Sequence, residues 1–444
     1  MIPVSELQQR RRKLAQSMAP NSIAIIPAAQ EVVRSNDTHY EFRQDSDYFY
    51  YTGLVEPEGL LVLMPDGPQE TVLWVLNRDP EQEIWHGRRL GTEQAQALSG
   101  VEVCHSLDSV NDGLLQCLDG RTDLYVAQGS SSWVHDEIES AMRSLRANKR
   151  KGQKPPQRIH DLSPLMHNQR LVKSEFEQAR MRKACKISVD AMRRAMQSAR
   201  QGRFEYQIAA ELHHEMVWQG ASGPAYGTIV GSGENACILH YTENKSELRD
   251  GDLLLIDAGA EFHGYAGDIT RTFPVNGKFS EPQRKLYNLV LRAQEAAFAV
   301  IKPGATLPEA YKASVKVLVE GMVQLGILRG EVDDLIKNLA FRPYFMHGLG
   351  HWLGLDVHDV GDYQVDGQPR KLKPGMVITV EPGLYIPADA DCPEAYRGMG
   401  VRIEDDLLIT EQGFENLTAG VPKTIEGIEA LMTRGESLEG MAHA

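Results

Sequence analysis

Four apolar, strand-like runs in this chain each carry an acidic residue where the apolar pattern stops. Asp257 ends "LLLID", Asp268 lies in "GYAGDITRT", Glu381 follows "GMVITV", and Glu404 sits in "VRIEDDLLI". A carboxylate at the end of a buried strand is costly unless it is paired, protonated or bound to a cation, and neighbouring carboxylates make bare ionisation harder still. The chain must fold so that these acids meet positive charge. With Phe262 and His263 as the two loop residues of a hairpin, Asp257 and Asp268 are expected directly opposite one another, Cβ atoms about 5 Å apart. Carboxylates plus one imidazole can hold two cations about 3.5 to 4 Å apart, the spacing of two-metal hydrolases.

The stretch "HGLGHWLGLDVHDVG", residues 347 to 361, offers His347, His351 and His358. Two histidines four apart suggest a helical zinc motif, but that motif needs Glu directly after the first His. Here Gly348, Leu349 and Gly350 fill the gap. The glycines disfavour a helix and suggest extended backbone brought close to something, so the histidines must find partners elsewhere in the chain. Oxygen-rich ligation with a single nitrogen suits Mn²⁺ better than structural zinc, with Co²⁺ or Zn²⁺ as alternatives.

The 444 residues have room for two or three domains. A balance of 47 basic against 61 acidic residues argues against a nucleic-acid surface. The basic N-terminus has no following apolar run, and no segment approaches the roughly 20 apolar residues of a membrane span. Cys104, Cys117, Cys185, Cys237 and Cys392 are odd in number, scattered and in no CxxC pair, which fits reduced thiols. The expected location is the cytoplasm.

The segment "RANKRKGQKPPQR", residues 146 to 158, reads as a basic surface loop near a domain boundary. Ser174 and Glu177 form a capping box that opens a long helix stopped by Gly202. The fold class is α+β. Residues 1–172 are expected to form an α/β domain with strands in "SIAIIPA", "GLLVLMP" and "TVLWVLN", and residues 173–444 a second, catalytic domain. Helices are expected at 204–219, 281–301 and 307–325, the last opened by a Thr306/Glu309 capping box. Two helix pairs, each followed by strands, suggest two similar halves, although no sequence repeat marks them.

The motifs "ILHYTEN", "LIDAGAEFHGYAGDITRTFPV", "MHGLGHWLGLDVHDVG", "VEPGLYI" and "RGMGVRIEDD" together resemble aminopeptidase P, the Xaa-Pro aminopeptidase family, and the likeness covers nearly the whole chain. The N-terminal "YEFRQDSDYFYYTGLVEPEGLLVL" resembles that family's N-terminal domain. The resemblance implies a C-terminal pita-bread domain with a dinuclear Mn²⁺ site, an N-terminal domain that serves oligomerisation and active-site capping, and a homo-oligomer, commonly a tetramer. Carried over by position, Asp257 chelates one ion, Asp268 and Glu404 bridge, and His351 and Glu381 complete the second. His240, His347 and His358 line the substrate site, Arg402 orients carboxylates or contacts the tetrahedral intermediate, and Tyr385 is a further substrate-binding candidate.

The implied reaction releases the residue before a proline by attack of a metal-bridging hydroxide, with Glu381 as proton shuttle. A prolidase restricted to Xaa-Pro dipeptides is the near alternative. A metal-free creatinase-type hydrolase and a non-catalytic peptide-binding relative are both disfavoured by the complete carboxylate set. His358 alone reads equally well as a packed core histidine. His213 and His214 read as helix surface. Trp85 and Arg88, in "IWHGRRLG", are read either as an active-site cap or as packing.

Overall fold

Ser22–Pro27, apolar at most positions, is buried along its whole length, as a strand covered on both faces must be. In the computed structural model, which describes residues 1–129 and 132–442, it lies in a six-stranded sheet of the first unit, Met1–Arg170. The sheet order is Val103–Ser106, Thr71–Val75, Leu60–Leu63, Ser22–Pro27, Asp123–Val126 and Arg158–Asp161. Leu60–Leu63 runs antiparallel to both neighbours, and the other pairs are parallel. Helices Val110–Leu118 and Ser132–Ala147 bring Leu114, Leu118 and Leu145 against Ile23, Val62 and Trp74. Each such aliphatic side chain contributes about 1.5–3 kcal/mol through burial. Lys149–Lys151 forms an exposed turn, so the basic segment is surface.

The second unit, from Leu171 onward, opens on helix Glu175–Ser198 with the Ser174/Glu177 capping box in place. The Thr306/Glu309 box likewise opens Leu307–Gln324. Glu205–Trp218 packs on the first of these helices and Glu281–Phe298 on the second. Each pair is followed by a three-stranded sheet. The first sheet is Ile229–Ser232, Leu253–Asp257 and Thr270–Pro274, and the second is Val377–Val380, Asp405–Thr410 and Gly413–Asn416. The two halves thus share one plan.

All four expected strands are broken, and the breaks fall at the acids. Leu253–Asp257 resumes as Ala260–Phe262, Tyr265–Ala266 as Thr270–Pro274, Val377–Val380 as Gly383–Tyr385, and Gly400–Arg402 as Asp405–Thr410. The pieces change partners at the break. Val377–Val380 pairs with Asp405–Thr410, whereas Gly383–Tyr385 pairs with Gly400–Arg402. Close backbone approach enforces the first break, because a Cβ on Gly259 would lie 1.6 Å from the Gly267 carbonyl oxygen.

The hairpin register differs from the expected one. Its loop residues are His263 and Gly264, with φ of 50° and 84°, the left-handed pair that a two-residue type I′ turn requires. Phe262 therefore pairs with Tyr265 and Asp257 with Thr270, so Asp257 and Asp268 are offset along the hairpin rather than opposed. Among the described residues no helix is long and apolar enough to cross a membrane. All five cysteines are free thiols.

Candidate metal centre and active site

The broken strands deliver their acids into one cavity of about 540 Å³, lined by Asp257, Asp268, His351, Glu381 and Glu404 together with His240, His347, His358 and Arg402. Donor atoms of Asp268, His351 and Glu404 all lie within 4.8 Å of one another. His351 Nε2 stands 3.5 Å from Asp268 Oδ2 and 3.6 Å from Glu381 Oε1. Its Nδ1 is 2.9 Å from the Trp352 carbonyl oxygen. A carbonyl only accepts, so Nδ1 carries a proton, and Nε2 faces the acids, where it can offer its lone pair once a cation displaces its own proton.

Hydroxyl groups orient the acids from behind. Thr270 Oγ1 donates to Glu404 Oε2 at 2.7 Å. Thr379 Oγ1 accepts the His351 N–H at 3.0 Å and donates to Glu381 Oε1 at 3.3 Å. Arg402 donates to Asp257 Oδ2 at 2.6 Å, to Thr270 Oγ1 at 3.1 Å and to Tyr385 Oη at 2.9 Å. Tyr226, which the sequence reading missed, places its hydroxyl 2.6 Å from Asp257 Oδ1 and 2.5 Å from Asp268 Oδ1. The only sequence signal at Tyr226 is a tyrosine among Pro and Gly in "GPAYGTIV", which reads as a turn.

The electrostatics ask for cations. Burial, then repulsion from Asp257, raises the Asp268 carboxyl above its usual range. Burial and the charges of Asp268, Glu381 and Asp257 push Glu404 well up, and burial above all raises Glu381 to about 7. Burial opposes the charged form of His351, but Asp268 and Glu381 outweigh it and hold the imidazole at about 9. A phenol has one proton, so Tyr226 cannot donate to both aspartates at once. Four crowded carboxylates, one oriented imidazole and too few protons are a donor set that divalent ions fit.

The remaining candidates fall into two layers. His240 and His358 are exposed at the cavity wall, and the His358 ring lies 4.1 Å from that of His351, centroid to centroid. His358 is therefore no core residue. His347 Nδ1 donates to the Gly348 carbonyl at 2.8 Å, which leaves Nε2 to accept from Tyr385 Oη at 2.8 Å. Burial and the charge of Arg402 lower His347 to about 4, so it is neutral at pH 7. Tyr385 departs from its expected place as a substrate contact. It is 1% exposed, and its hydroxyl is occupied by Arg402 and His347, so it acts on the cavity only through them. His213 and His214 are exposed on helix Glu205–Trp218, and Trp85, 81% exposed, is not packed into the first unit.

Comparison with known proteins agrees with this geometry. Residues 179–411 match the model of metallopeptidase family M24, and residues 7–125 match the aminopeptidase P N-terminal domain. The chain is 52% identical over 433 residues to a Xaa-Pro aminopeptidase of Escherichia coli, covering 97% of this chain and 98% of the relative. A solved Pseudomonas aeruginosa aminopeptidase superposes with a TM-score of 0.97 at 47% identity, over 98% of this chain and 99% of that one. A zinc-substituted E. coli aminopeptidase P in complex with product superposes at 0.96 with 51% identity, over 98% and 99%. The second unit thus has the pita-bread fold, and the chain belongs to metallopeptidase family M24, among the members that carry an aminopeptidase P N-terminal domain.

Proposed function

We propose that this chain removes the N-terminal residue from peptides whose second residue is proline. Asp257, Asp268, His351, Glu381 and Glu404 would hold two divalent cations, Mn²⁺ first among them. The observation that carries the reading is the convergence of these five donors on one cavity, in a chain 52% identical to an E. coli enzyme of that specificity. Four carboxylates and an imidazole exceed what one ion needs, and their oxygen-rich character favours Mn²⁺ over Zn²⁺ or Co²⁺. When bound, the ions supply Lewis acidity and a lowered water pKa.

The chain's own groups do the rest. Glu381, at the cavity wall beside the other acids, would take a proton from the attacking water and return it to the departing nitrogen. That nitrogen needs the proton because, like any amide nitrogen, it leaves readily only as a neutral amine. Arg402, held by Asp257, Thr270 and Tyr385, presents a fixed positive charge to the developing oxyanion. His240, His347 and His358 position the peptide, and Tyr385 holds His347 and Arg402 in register. The free thiols support a cytoplasmic enzyme, and the family resemblance supports a homo-oligomer. Side-by-side hydrolysis of a Xaa-Pro-Xaa tripeptide and a Xaa-Pro dipeptide with added Mn²⁺ tests the proposal. Tripeptide cleavage is expected, cleavage of the dipeptide alone would make the protein a prolidase, and inertness toward both with metal bound would remove the activity.

A further inference from the structure

Glu404, Asp405 and Asp406 are consecutive acids with three different fates. Glu404 faces the cavity, Asp405 pairs with Arg271 and Lys423, and Asp406 is wholly buried with no cation bonded to it among the described residues. Asp406 Oδ2 accepts the backbone N–H of Asp268 at 2.9 Å and the thiol of Cys185 at 3.2 Å. Its Oδ1 is buried without a hydrogen-bond partner. Leaving a buried carboxyl half satisfied costs about 1–3 kcal/mol, so an apolar residue would serve this strand better if packing were the only demand.

The surroundings point to the demand that is met. Asp268 lies in the break between Tyr265–Ala266 and Thr270–Pro274, where its N–H has no strand partner. Helix Glu175–Ser198 presses on this break, since a Cβ on Gly267 would lie 2.7 Å from Ser188 Oγ and 3.2 Å from Cys185 Cα. Ser188 Oγ accepts the N–H of Ala260 on the facing strand at 2.9 Å. Two backbone donors beside the break are thus taken by side chains, one from the helix and one from Asp406, whose second contact, Cys185, belongs to that helix.

We infer that Asp406 is a positioning residue for the metal centre: by accepting the Asp268 N–H it sets the direction in which the Asp268 carboxylate enters the cavity, with the Cys185 thiol fixing the Asp406 rotamer. The inference rests on the reading of Asp268 as a metal-holding residue. It requires an acceptor at position 406 rather than a charge.

Asp406→Val and Asp406→Asn separate the two, being close in volume and differing in the acceptor. Mn²⁺ titration of the chelator-stripped full-length chain is the direct readout, with melting temperature and tripeptide kcat and KM on the same preparations. Asp406→Val is expected to weaken Mn²⁺ binding about 10–100-fold, the usual effect of removing a group that orients a ligand, and to lower kcat more than KM. Asp406→Asn is expected to stay within a few-fold of the unaltered chain. Undiminished Mn²⁺ affinity in folded Asp406→Val overturns the inference. A tenfold loss in Asp406→Asn also overturns it, and decides the matter alone if the valine variant does not fold. Failure of the unaltered chain to bind Mn²⁺ would remove the metal reading itself and this inference with it.

Discussion

His358 stands exposed over the ring of His351, so its removal opens no cavity in a core. His358→Ala is therefore expected to leave melting temperature and bound manganese near their original values and to lower kcat tenfold or more, since a group acting on the transition state appears in kcat and kcat/KM together. A fully active variant would remove the assignment, and lost manganese would move His358 among the ligands. Asp268→Asn should behave in the opposite way. An amide cannot carry the charge that adjacent cations demand, so manganese content and turnover should fall together while far-ultraviolet circular dichroism stays native-like. Residues of this kind are visible in sequence because a carboxylate ending an apolar run contradicts its surroundings. Tyr226 and Asp406 are not visible, since a tyrosine beside glycines and the last acid of "EDD" each have an ordinary alternative, and only the fold shows what they touch.

At the level of elements, the capping boxes and apolar periodicity identify the helices, because both signals are local. The strands are only half legible. The segment "GDLLLIDAGAEF" reads as one continuous strand opened by an apolar run, whereas the backbone bends at Ala258–Gly259 because the Gly267 carbonyl occupies the space a side chain would need. The register failed for a related reason: Phe262–His263 and His263–Gly264 both look like turn centres, and only Gly264 tolerates the left-handed second position cheaply. Gly259→Ala tests how tightly the break is built. With a Cβ 1.6 Å from a carbonyl oxygen, it should destabilise the second unit by about 3 kcal/mol or more, and urea denaturation would read this directly. An unchanged midpoint would mean the backbone relaxes freely.

Across the whole molecule, buried charge shapes the acid limit of stability. Asp405 is wholly buried and bonded to Arg271 at 2.7 Å and Lys423 at 2.6 Å. Burial alone would raise its carboxyl, but the two cations outweigh that and hold it at about 2, below the ordinary 3.8. A depressed folded-state pKa means the stabilisation is fully present above 3.8 and is lost as pH falls through about 2. The urea midpoint of metal-free protein should therefore drop across that window. Asp405→Asn should already be weaker at pH 7, by about 3–5 kcal/mol for a broken buried pair, with a shallower acid dependence. Equal slopes for the two proteins would assign the acid transition to other groups.

The alternation of strand and break has a consequence for how the protein is made. Asp257 and Asp268 belong to the first half of the second unit, while His351, Glu381 and Glu404 all come from later in the chain. A nascent polypeptide leaving the ribosome therefore exposes two carboxylates long before the imidazole that completes the cluster, and a lone acidic pair has little hold on a divalent ion in water. If the five donors hold the metal as proposed, capture is expected only after translation has passed Glu404 and the later strands have docked, with cation uptake marking late synthesis rather than guiding its early course. Chains halted before residue 340 should accordingly emerge manganese-free from a cell-free translation mix in which the full-length product acquires the metal.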